Sequence, residues 1–240
     1  MYNTKKKLCM KYFYDGCNPE ELSDVLKKGC ISGVTTNVNF VIDYAKKENI
    51  SSYFNAVLPT YEVAVASGLK IPFSIQALGE TSDQLIESAL KIRDKFSNGV
   101  KLYIKIPVNY SNLEAIKFLS STEGINVNAT CITSFLQATS AFSSGASILS
   151  YFWGKMTDEG IDPRDHVKSL KKFIKSNNSN AEILCGSIRQ SRVIHEALMS
   201  DADILTLPYS YFPKISERKK SEEATDIFNN AWVNSNMTLI

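Results

Sequence analysis

The chain alternates between short apolar runs and longer amphipathic segments, and this alternation repeats eight times. The runs are rich in Ile, Val, Leu, Phe and Tyr, which is typical of buried strands, and the segments between them have helical spacing of apolar residues. Eight strand–helix units in 240 residues predict an α/β fold, a single-domain (β/α)8 TIM barrel. A doubly wound open sheet is the alternative, although it rarely needs eight alternating units. The predicted strands are residues 11–16, 30–37, 70–78, 101–108, 125–132, 146–155, 181–188 and 202–210.

Helix-capping residues support the segments between the runs. Pro19 stands at a first-turn position, and a Thr/Ser pair opens the amphipathic segment 81–96. The segment 51–68 is too long for a turn and predicts an additional helix. Because no linker or change of composition divides the chain, we expect a tail over residues 1–10 and one barrel with a C-terminal helix over residues 11–240.

The fourth run, "KLYIKIPV", contains two lysines. Side chains of a barrel strand point alternately to the interior and to the helices. The leucine and the two isoleucines of the run share one parity and suit the helix side, so Lys101, Tyr103 and Lys105 are predicted to face the interior. Lys105 lies near the C-terminal end of its strand, where the active sites of such barrels are built.

The same parity on the other runs brings polar side chains to the same end of the barrel. The opposite parity is mostly apolar, with Cys131 and Leu184 among its members. A single run would carry little weight, whereas seven runs that agree predict a polar barrel mouth around one lysine. The side chains predicted to face inwards are Phe13, Asp15, Thr35, Asn37, Ser74, Gln76, Asn128, Thr130, Ser150, Phe152, Cys185 and Ser187.

A lysine in a partly apolar mouth has its charged form disfavoured, so its pKa falls and its amine becomes nucleophilic. Such an amine can form a Schiff base with a ketone, and Asp15 could exchange the hydroxyl proton as general base. Thr130 and Gln76 could hold a proton-shuttling water. We therefore predict Lys105, Asp15, Thr130 and Gln76 as catalytic. Asn37, Asn128 and Ser150 could bind substrate hydroxyls, and Thr35 and Phe152 complete the predicted lining.

Structural roles are the alternative for each of these residues taken alone. A strand lysine often snorkels to solvent or pairs with a carboxylate. Asp15 precedes Gly16 and could be a turn residue. Asn37, Asn128 and Thr130 could be turn or cap residues.

A phosphate site is predicted after the seventh run, which ends "CGSIRQS". Gly186, Ser187 and Arg189 precede the next helix, whose first amides can join a hydroxyl and a guanidinium around an anion. Lys155, at the end of the sixth run, could add a second cation. A solvated arginine beside a turn is the alternative.

Composition excludes several other classes of protein. The chain has 27 basic and 25 acidic side chains, a balance that does not suggest a nucleic-acid or membrane surface. Its five cysteines are scattered without CxxC spacing, which favours reduced thiols in a cytoplasmic protein over disulfides or a zinc site. We see no signal peptide and no apolar run of about 18 residues, so we expect no membrane span.

Five motifs are spread along the chain: "GVTTN" (33–37), "IKIPV" (104–108), "GINVNATCITSFLQA" (124–138), "ILSYFWGK" (148–155) and "ILCGSIR" (183–189). Together they resemble the transaldolase family, particularly the short subfamily that includes fructose-6-phosphate aldolases. This resemblance implies class I aldol chemistry on a sugar phosphate without metal or cofactor. It implies Lys105 as the covalent residue, Asp15 as acid/base and Thr130 as the water-positioning threonine. It also implies a homo-oligomer, a pentamer or decamer, in which the segment 228–232 belongs to a helix that crosses to a neighbour.

Departures from the family pattern leave the exact reaction open. Gln76 matches the aldolases, where transaldolases generally carry Glu, whereas Phe152 matches the transaldolases, where the aldolases carry Tyr. We favour transfer of a dihydroxyacetone unit, with simple cleavage or a specialised biosynthetic aldolase as alternatives. A barrel that binds a sugar phosphate without turnover is the remaining alternative. Other departures are Gly16 for Thr, Val38-Asn39 for Pro-Ser, Thr133 for Phe or Tyr, and Lys155 for Arg.

Overall fold

The computed structural model describes residues 10–235 and 237–238. Eight strands pair in parallel in chain order, and the first pairs with the last, so the sheet closes into a barrel. The predicted (β/α)8 fold is confirmed. The predicted tail over 1–10 lies, apart from Met10, outside the described residues. The strands are β1 Lys11–Asp15, β2 Val34–Thr35, β3 Pro72–Gln76, β4 Lys101–Pro107, β5 Val127–Ile132, β6 Ile148–Phe152, β7 Glu182–Gly186 and β8 Ile204–Leu207.

Helices follow the strands, and side chains cap several of them at the N-terminus. Asn18 accepts hydrogen bonds from the amides of Glu20 and Glu21, and Thr81 forms a capping box with Gln84. The extra helix predicted within 51–68 is present. The helices of the barrel are α1 Pro19–Lys27, α2 Val38–Lys47, α3 Tyr53–Ala66, α4 Ser82–Phe96, α5 Leu113–Ser121, α6 Phe135–Ser143, α7 Trp153–Asp158, α8 Pro163–Ser176 and α9 Ser191–Leu198.

Each observed strand lies within a predicted run, but the second, sixth and eighth are at most half as long as predicted. The second run, 30–37, contributes only Val34–Thr35 because Asn37 already caps α2. The sixth run, 146–155, ends as a strand at Phe152, since α7 begins at the next residue. Lys155 therefore projects from a helix rather than from a strand end.

The barrel interior is built in two levels. The lower level is an apolar cluster of five buried residues, Phe13, Tyr103, Ile148, Leu184 and Ile204. Since residues two apart on a strand share a face, the side chains above this cluster are two positions further along. Apolar packing thus fills the barrel below and leaves polar groups above. Those upper positions are Asp15, Lys105, Ser150, Gly186 and Thr206.

The predicted parity of β7 is wrong. Leu184 belongs to the interior cluster and Gly186 lines the barrel mouth, so Cys185 between them faces the helices. Ser187 reaches the mouth only because it lies beyond the strand with a left-handed φ of 59°. Strict alternation along β7 therefore assigned Cys185, instead of Leu184 and Gly186, to the interior.

The described residues from Ser210 onwards belong to a second compact unit, which is described separately from the barrel. It contains α10 Phe212–Ser216 and α11 Lys219–Asn234. Helix α11 exposes several large apolar side chains. They are Ile227, Phe228, Trp232 and Val233.

Candidate active site

A cavity of about 540 Å³ opens at the C-terminal ends of the strands. It lies directly above the interior apolar cluster. Eleven of the twelve predicted site residues line it, and the twelfth, Asn128, is fully buried. The eleven are Asp15, Thr35, Asn37, Gln76, Lys105, Thr130, Ser150, Phe152, Lys155, Ser187 and Arg189.

Lys105 stands near the floor of this cavity with only 7% of its surface exposed. Its Nζ donates a hydrogen bond of 2.6 Å to the carbonyl oxygen of Thr36. Burial lowers the pKa of Lys105, while the nearby Asp15 carboxylate and the Cys131 thiol act in the opposite direction. The amine is therefore more easily deprotonated than that of a free lysine.

Asp15 shares the cavity with this amine. Burial raises the pKa of Asp15, opposed first by the charge of Lys105 and then by a hydrogen bond from Thr35. The Thr35 hydroxyl donates to Asp15 Oδ1 over 2.7 Å. Because the pKa of the carboxyl rises while that of the amine falls, both groups are poised to exchange protons with a bound molecule.

Asn128 supports the cavity from beneath instead of lining it. Its Oδ1 accepts a 2.6 Å hydrogen bond from the Ser150 hydroxyl, and its Nδ2 donates to Ser74 Oγ over 3.2 Å. β4 pairs with β5 so that Asn128 is level with Lys105. The amide thus orients Ser150, which does line the cavity.

Asn37 is both a helix cap and a residue of the cavity wall. Its Oδ1 accepts hydrogen bonds from the amides of Asn39 (3.0 Å) and Phe40 (3.1 Å) and so caps α2. The same side chain lines the cavity. Its Nδ2 is a donor that capping does not use.

Gln76 and Phe152 are the last residues of β3 and β6, and Thr130 lies two residues before the end of β5; all three line the mouth. Gln76 pairs in register with Lys105, and Thr130 is almost fully buried at 2% exposure. That Gln76 and Thr130 hold a water between them stays a prediction.

Cys131 lines the cavity, contrary to its predicted helix-facing parity. The register of β5 against β6 shifts between Ala129 and Ile132, and Cys131 has a left-handed φ of 63°. This irregularity turns its side chain into the mouth. Burial raises the pKa of the Cys131 thiol, opposed by Lys105 and Thr130. The alternation of side chains along a regular strand could not have identified Cys131 as a cavity residue.

The predicted phosphate residues meet at one side of the mouth. The Gly154 amide donates to the Ser187 carbonyl over 3.1 Å, which ties α7 to the end of β7. Arg189 forms an ion pair with Asp158, and both side chains are about half exposed. Gln190 precedes α9 without a side-chain cap, although its carbonyl accepts a hydrogen bond of 3.1 Å from the Val193 amide.

Thr206 and the Thr36 carbonyl were not predicted as parts of the site. Thr206 on β8 is buried, lines the cavity and lies 2.6 Å from Thr35, oxygen to oxygen. Alternation from Ile204 would have found Thr206. The Thr36 carbonyl is a backbone group, and side-chain patterns contain no signal for it.

Within the described residues, no group of three or more His, Cys, Asp or Glu side chains comes together that could hold a metal ion. None of the helices in the part of the chain that the structure covers is long and apolar enough to cross a membrane.

The closed parallel barrel, with a buried lysine beside a carboxyl at its C-terminal mouth, defines a TIM-barrel enzyme. The chain matches the transaldolase/fructose-6-phosphate aldolase family over residues 12–238 and belongs to that family. It is an enzyme of the transaldolase and aldolase type, as the sequence motifs suggested.

Similar proteins agree with this assignment. The chain is 30% identical to "Probable transaldolase 2" of Listeria monocytogenes over 93% of its own length and 96% of that protein. It is also 30% identical to "Probable transaldolase" of Thermoplasma volcanium, covering 93% and 95% of the two chains. The crystal structure of 2,3-dimethylmalate lyase superposes with a TM-score of 0.57 at 12% identity, covering 97% of this chain and 87% of that one. That likeness concerns the fold alone.

Proposed function

We propose that the protein is a class I aldol enzyme that acts on a ketose phosphate through a Schiff base on Lys105. The observation that carries this proposal is the amine itself. It is 7% exposed in the cavity, and its surroundings lower its pKa. The neutral amine, which is the nucleophile, is therefore populated at lower pH than in a free lysine.

Covalent attachment would begin when the Lys105 amine adds to the ketone carbon of the substrate. Loss of the carbonyl oxygen as water gives an iminium ion. Asp15 then takes the proton of the hydroxyl on the fourth carbon, and the bond between the third and fourth carbons breaks. Its electron pair moves into the iminium to give an enamine, and an aldehyde leaves.

The second half of the reaction returns the three-carbon unit. In transfer, the enamine carbon attacks an acceptor aldehyde and Asp15 returns the proton to the new hydroxyl. In cleavage, the enamine carbon takes a proton instead. In both cases, water hydrolyses the iminium and frees Lys105.

Gln76 and Thr130 would hold the water of these steps. An amide cannot act as a base, so proton transfer rests on Asp15. Asn37 and Ser150 would bind substrate hydroxyls, with Thr35, Asn128 and Phe152 completing that part of the site. Ser187, Arg189 and Lys155 would bind the phosphate.

Transfer of a dihydroxyacetone unit is the reaction that we favour, and cleavage of the fructose-6-phosphate aldolase type is the second candidate. Transfer is favoured because relatives of the chain are named probable transaldolases. Cleavage is kept because the pair at the mouth is mixed: Phe152 matches transaldolases and Gln76 matches aldolases. Both side chains line the same cavity.

We also propose a cytoplasmic homo-oligomer, a pentamer or decamer. The apolar side chains that α11 exposes, including Phe228 and Trp232, support assembly through this helix.

Borohydride trapping tests the proposal. Borohydride reduces an iminium to a stable secondary amine, so a ketose phosphate donor should add the mass of a reduced triose unit to the wild-type chain. The Lys105→Met variant should gain nothing. Lys101→Met is the matched control, because Lys101 lies on the same strand with the same parity at the exposed end. Unchanged wild-type mass across a panel of donors would contradict the proposal. Adding an acceptor aldehyde separates transfer from cleavage by the products formed.

A further inference from the structure

Thr206 belongs to a chain of hydroxyl groups that ends on Asp15. Its Oγ1 lies 2.6 Å from Thr35 Oγ1, and the Thr35 hydroxyl donates to Asp15 Oδ1 over 2.7 Å. Thr206 is 3% exposed and Thr35 is 1% exposed. The contact between them is therefore shielded from competing water.

The direction of this chain follows from the available hydrogens. An ionised carboxylate only accepts hydrogen bonds, so Thr35 must donate to Asp15. A hydroxyl has one hydrogen, and that of Thr35 is thereby used. Thr206 must therefore donate to Thr35 whenever Asp15 is ionised. A hydroxyl that accepts a hydrogen bond becomes a better donor, so Thr206 strengthens the bond to the carboxylate.

The backbone fixes the three groups on neighbouring strands. β8 pairs with β1 so that Thr206 is level with Phe13, and β1 pairs with β2 so that Asp15 is level with Thr35. Gly186 on β7 leaves room for Thr206, because a Cβ there would lie only 3.2 Å from Thr206 Cγ2.

We propose that Thr206 is a positioning residue for proton transfer at Asp15: its hydroxyl orients Thr35, which holds Oδ1 and leaves Oδ2 to exchange the substrate proton. This role rests on the proposed function of Asp15 as acid and base. Thr206 acts through Thr35 and does not need to touch the substrate.

Other titratable groups around Asp15 have to be separated from this effect. Lys105 on β4 is the charged group that acts on Asp15, and the Cys131 thiol on β5 acts in turn on Lys105. A pH–rate profile alone would report the titrations of the Lys105 amine and the Asp15 carboxyl together. The carboxyl must therefore be followed directly.

The test is titration of the Asp15 carboxyl by carbon-13 NMR in substrate-free protein labelled at aspartate, with the resonance assigned by Asp15→Asn. Thr35→Val should raise the titration midpoint by about one pH unit, because a hydrogen bond to a charged group is lost. Thr206→Val should raise it by a few tenths, because only the strengthening of that bond is lost. Thr206→Ser keeps the hydroxyl and should restore the wild-type midpoint.

The double variant Thr35→Val/Thr206→Val makes the test specific. Because Thr206 acts only through Thr35, the double variant should titrate like Thr35→Val alone. Thr60→Val is the matched control, since it also removes a fully buried threonine hydroxyl but lies on α3 outside the cavity lining. It should leave the midpoint unchanged. If Thr206→Val does not fold, Thr206→Ala is titrated in its place.

Two results would overturn the role of Thr206. One is an Asp15 midpoint that Thr206→Val leaves unchanged, and the other is a Thr206→Val shift that adds in full to that of Thr35→Val. Borohydride trapping of the wild type is run in parallel. Absence of an adduct contradicts the proposed function, whereas the titration decides on the hydroxyl chain by itself.

Discussion

Gly154 sits where α7 meets the end of β7, and replacing it with alanine tests whether this contact positions the phosphate side of the cavity. A Cβ at residue 154 would fall far inside contact distance of the Ser187 carbonyl oxygen and 3.2 Å from Arg189 Cγ. Ordinary contact begins at 3.4 Å, so the carbonyl must retreat by more than an ångström. The hydrogen bond from the Gly154 amide would be strained in the same movement.

A misplacement of about 1 Å can lower a rate by about 100-fold. We therefore expect Gly154→Ala to lower kcat/KM for a phosphorylated ketose by about 100-fold, or about 2.7 kcal/mol of transition-state stabilisation. A donor without phosphate should lose much less, because Lys105 and Asp15 stay in place. Steady-state kinetics with the two donors, together with a crystal structure of the variant, make the comparison.

Gly124→Ala is the matched control for this prediction. Gly124 lies between α5 and β5 at the opposite end of the barrel, has a φ of 64° and has no neighbour within 4 Å of an added Cβ. It should cost about 1 kcal/mol of stability without changing the kinetics. Unaltered kinetics of Gly154→Ala, or a Ser187 carbonyl that has not moved, would refute the reasoning.

Three further changes probe the base, the core and the ion pair at the mouth. Asp15→Asn should lower turnover by about 10²–10⁴-fold, the usual contribution of a general base, yet still be trapped by borohydride. Because the Asp15 carboxylate raises the pKa of Lys105, its removal should let adduct formation reach its plateau at lower pH. Phe13→Ala should lower the free energy of unfolding in urea by about 3–5 kcal/mol, since Phe13 is fully buried. Asp158→Asn should release Arg189 and lower KM for a phosphorylated donor about five-fold, as exposed ion pairs contribute at most about 1 kcal/mol.

For each of these three predictions, one result would contradict it. An Asp15→Asn variant with full turnover would exclude Asp15 as the base. A Phe13→Ala variant as stable as wild type would mean that the interior cluster contributes little to stability. For the ion pair, Asp162→Asn is the charge-matched control, because Asp162 pairs with Arg164 at the start of α8. Equal KM values for the two variants would exclude a specific effect of Asp158.

The strand–helix alternation was enough to predict the barrel, and the parity of β4 was enough to predict that Lys105 faces the cavity. Both follow from periodic burial, which residue types record directly. The failures lie where the backbone leaves the periodic pattern. Cys131 and Ser187 adopt left-handed φ values, so alternation misplaced Cys131 and counted β7 in the wrong phase.

Other parts of the site depend on information that residue types do not contain. The backbone carbonyl of Thr36 accepts a hydrogen bond from the Lys105 amine. A residue of any type could have supplied this carbonyl. Asn128 has the residue type of a substrate ligand, yet its amide supports Ser150 from below. The pairing of β5 with β4 and β6 is what places Asn128 level with Lys105 and beside Ser150.

The apolar cluster beneath the site also sets the order of events in turnover. Within the described residues, Phe13, Tyr103 and Leu184 fill the barrel below Lys105, so the cavity is reached from the strand ends. In a transfer reaction, the first aldehyde must therefore leave by the route that the acceptor uses to arrive. The two aldehydes could not enter and leave through opposite ends of the barrel. Under the proposed Schiff-base mechanism, the three-carbon unit would stay on Lys105 during this exchange, and ping-pong kinetics are therefore expected.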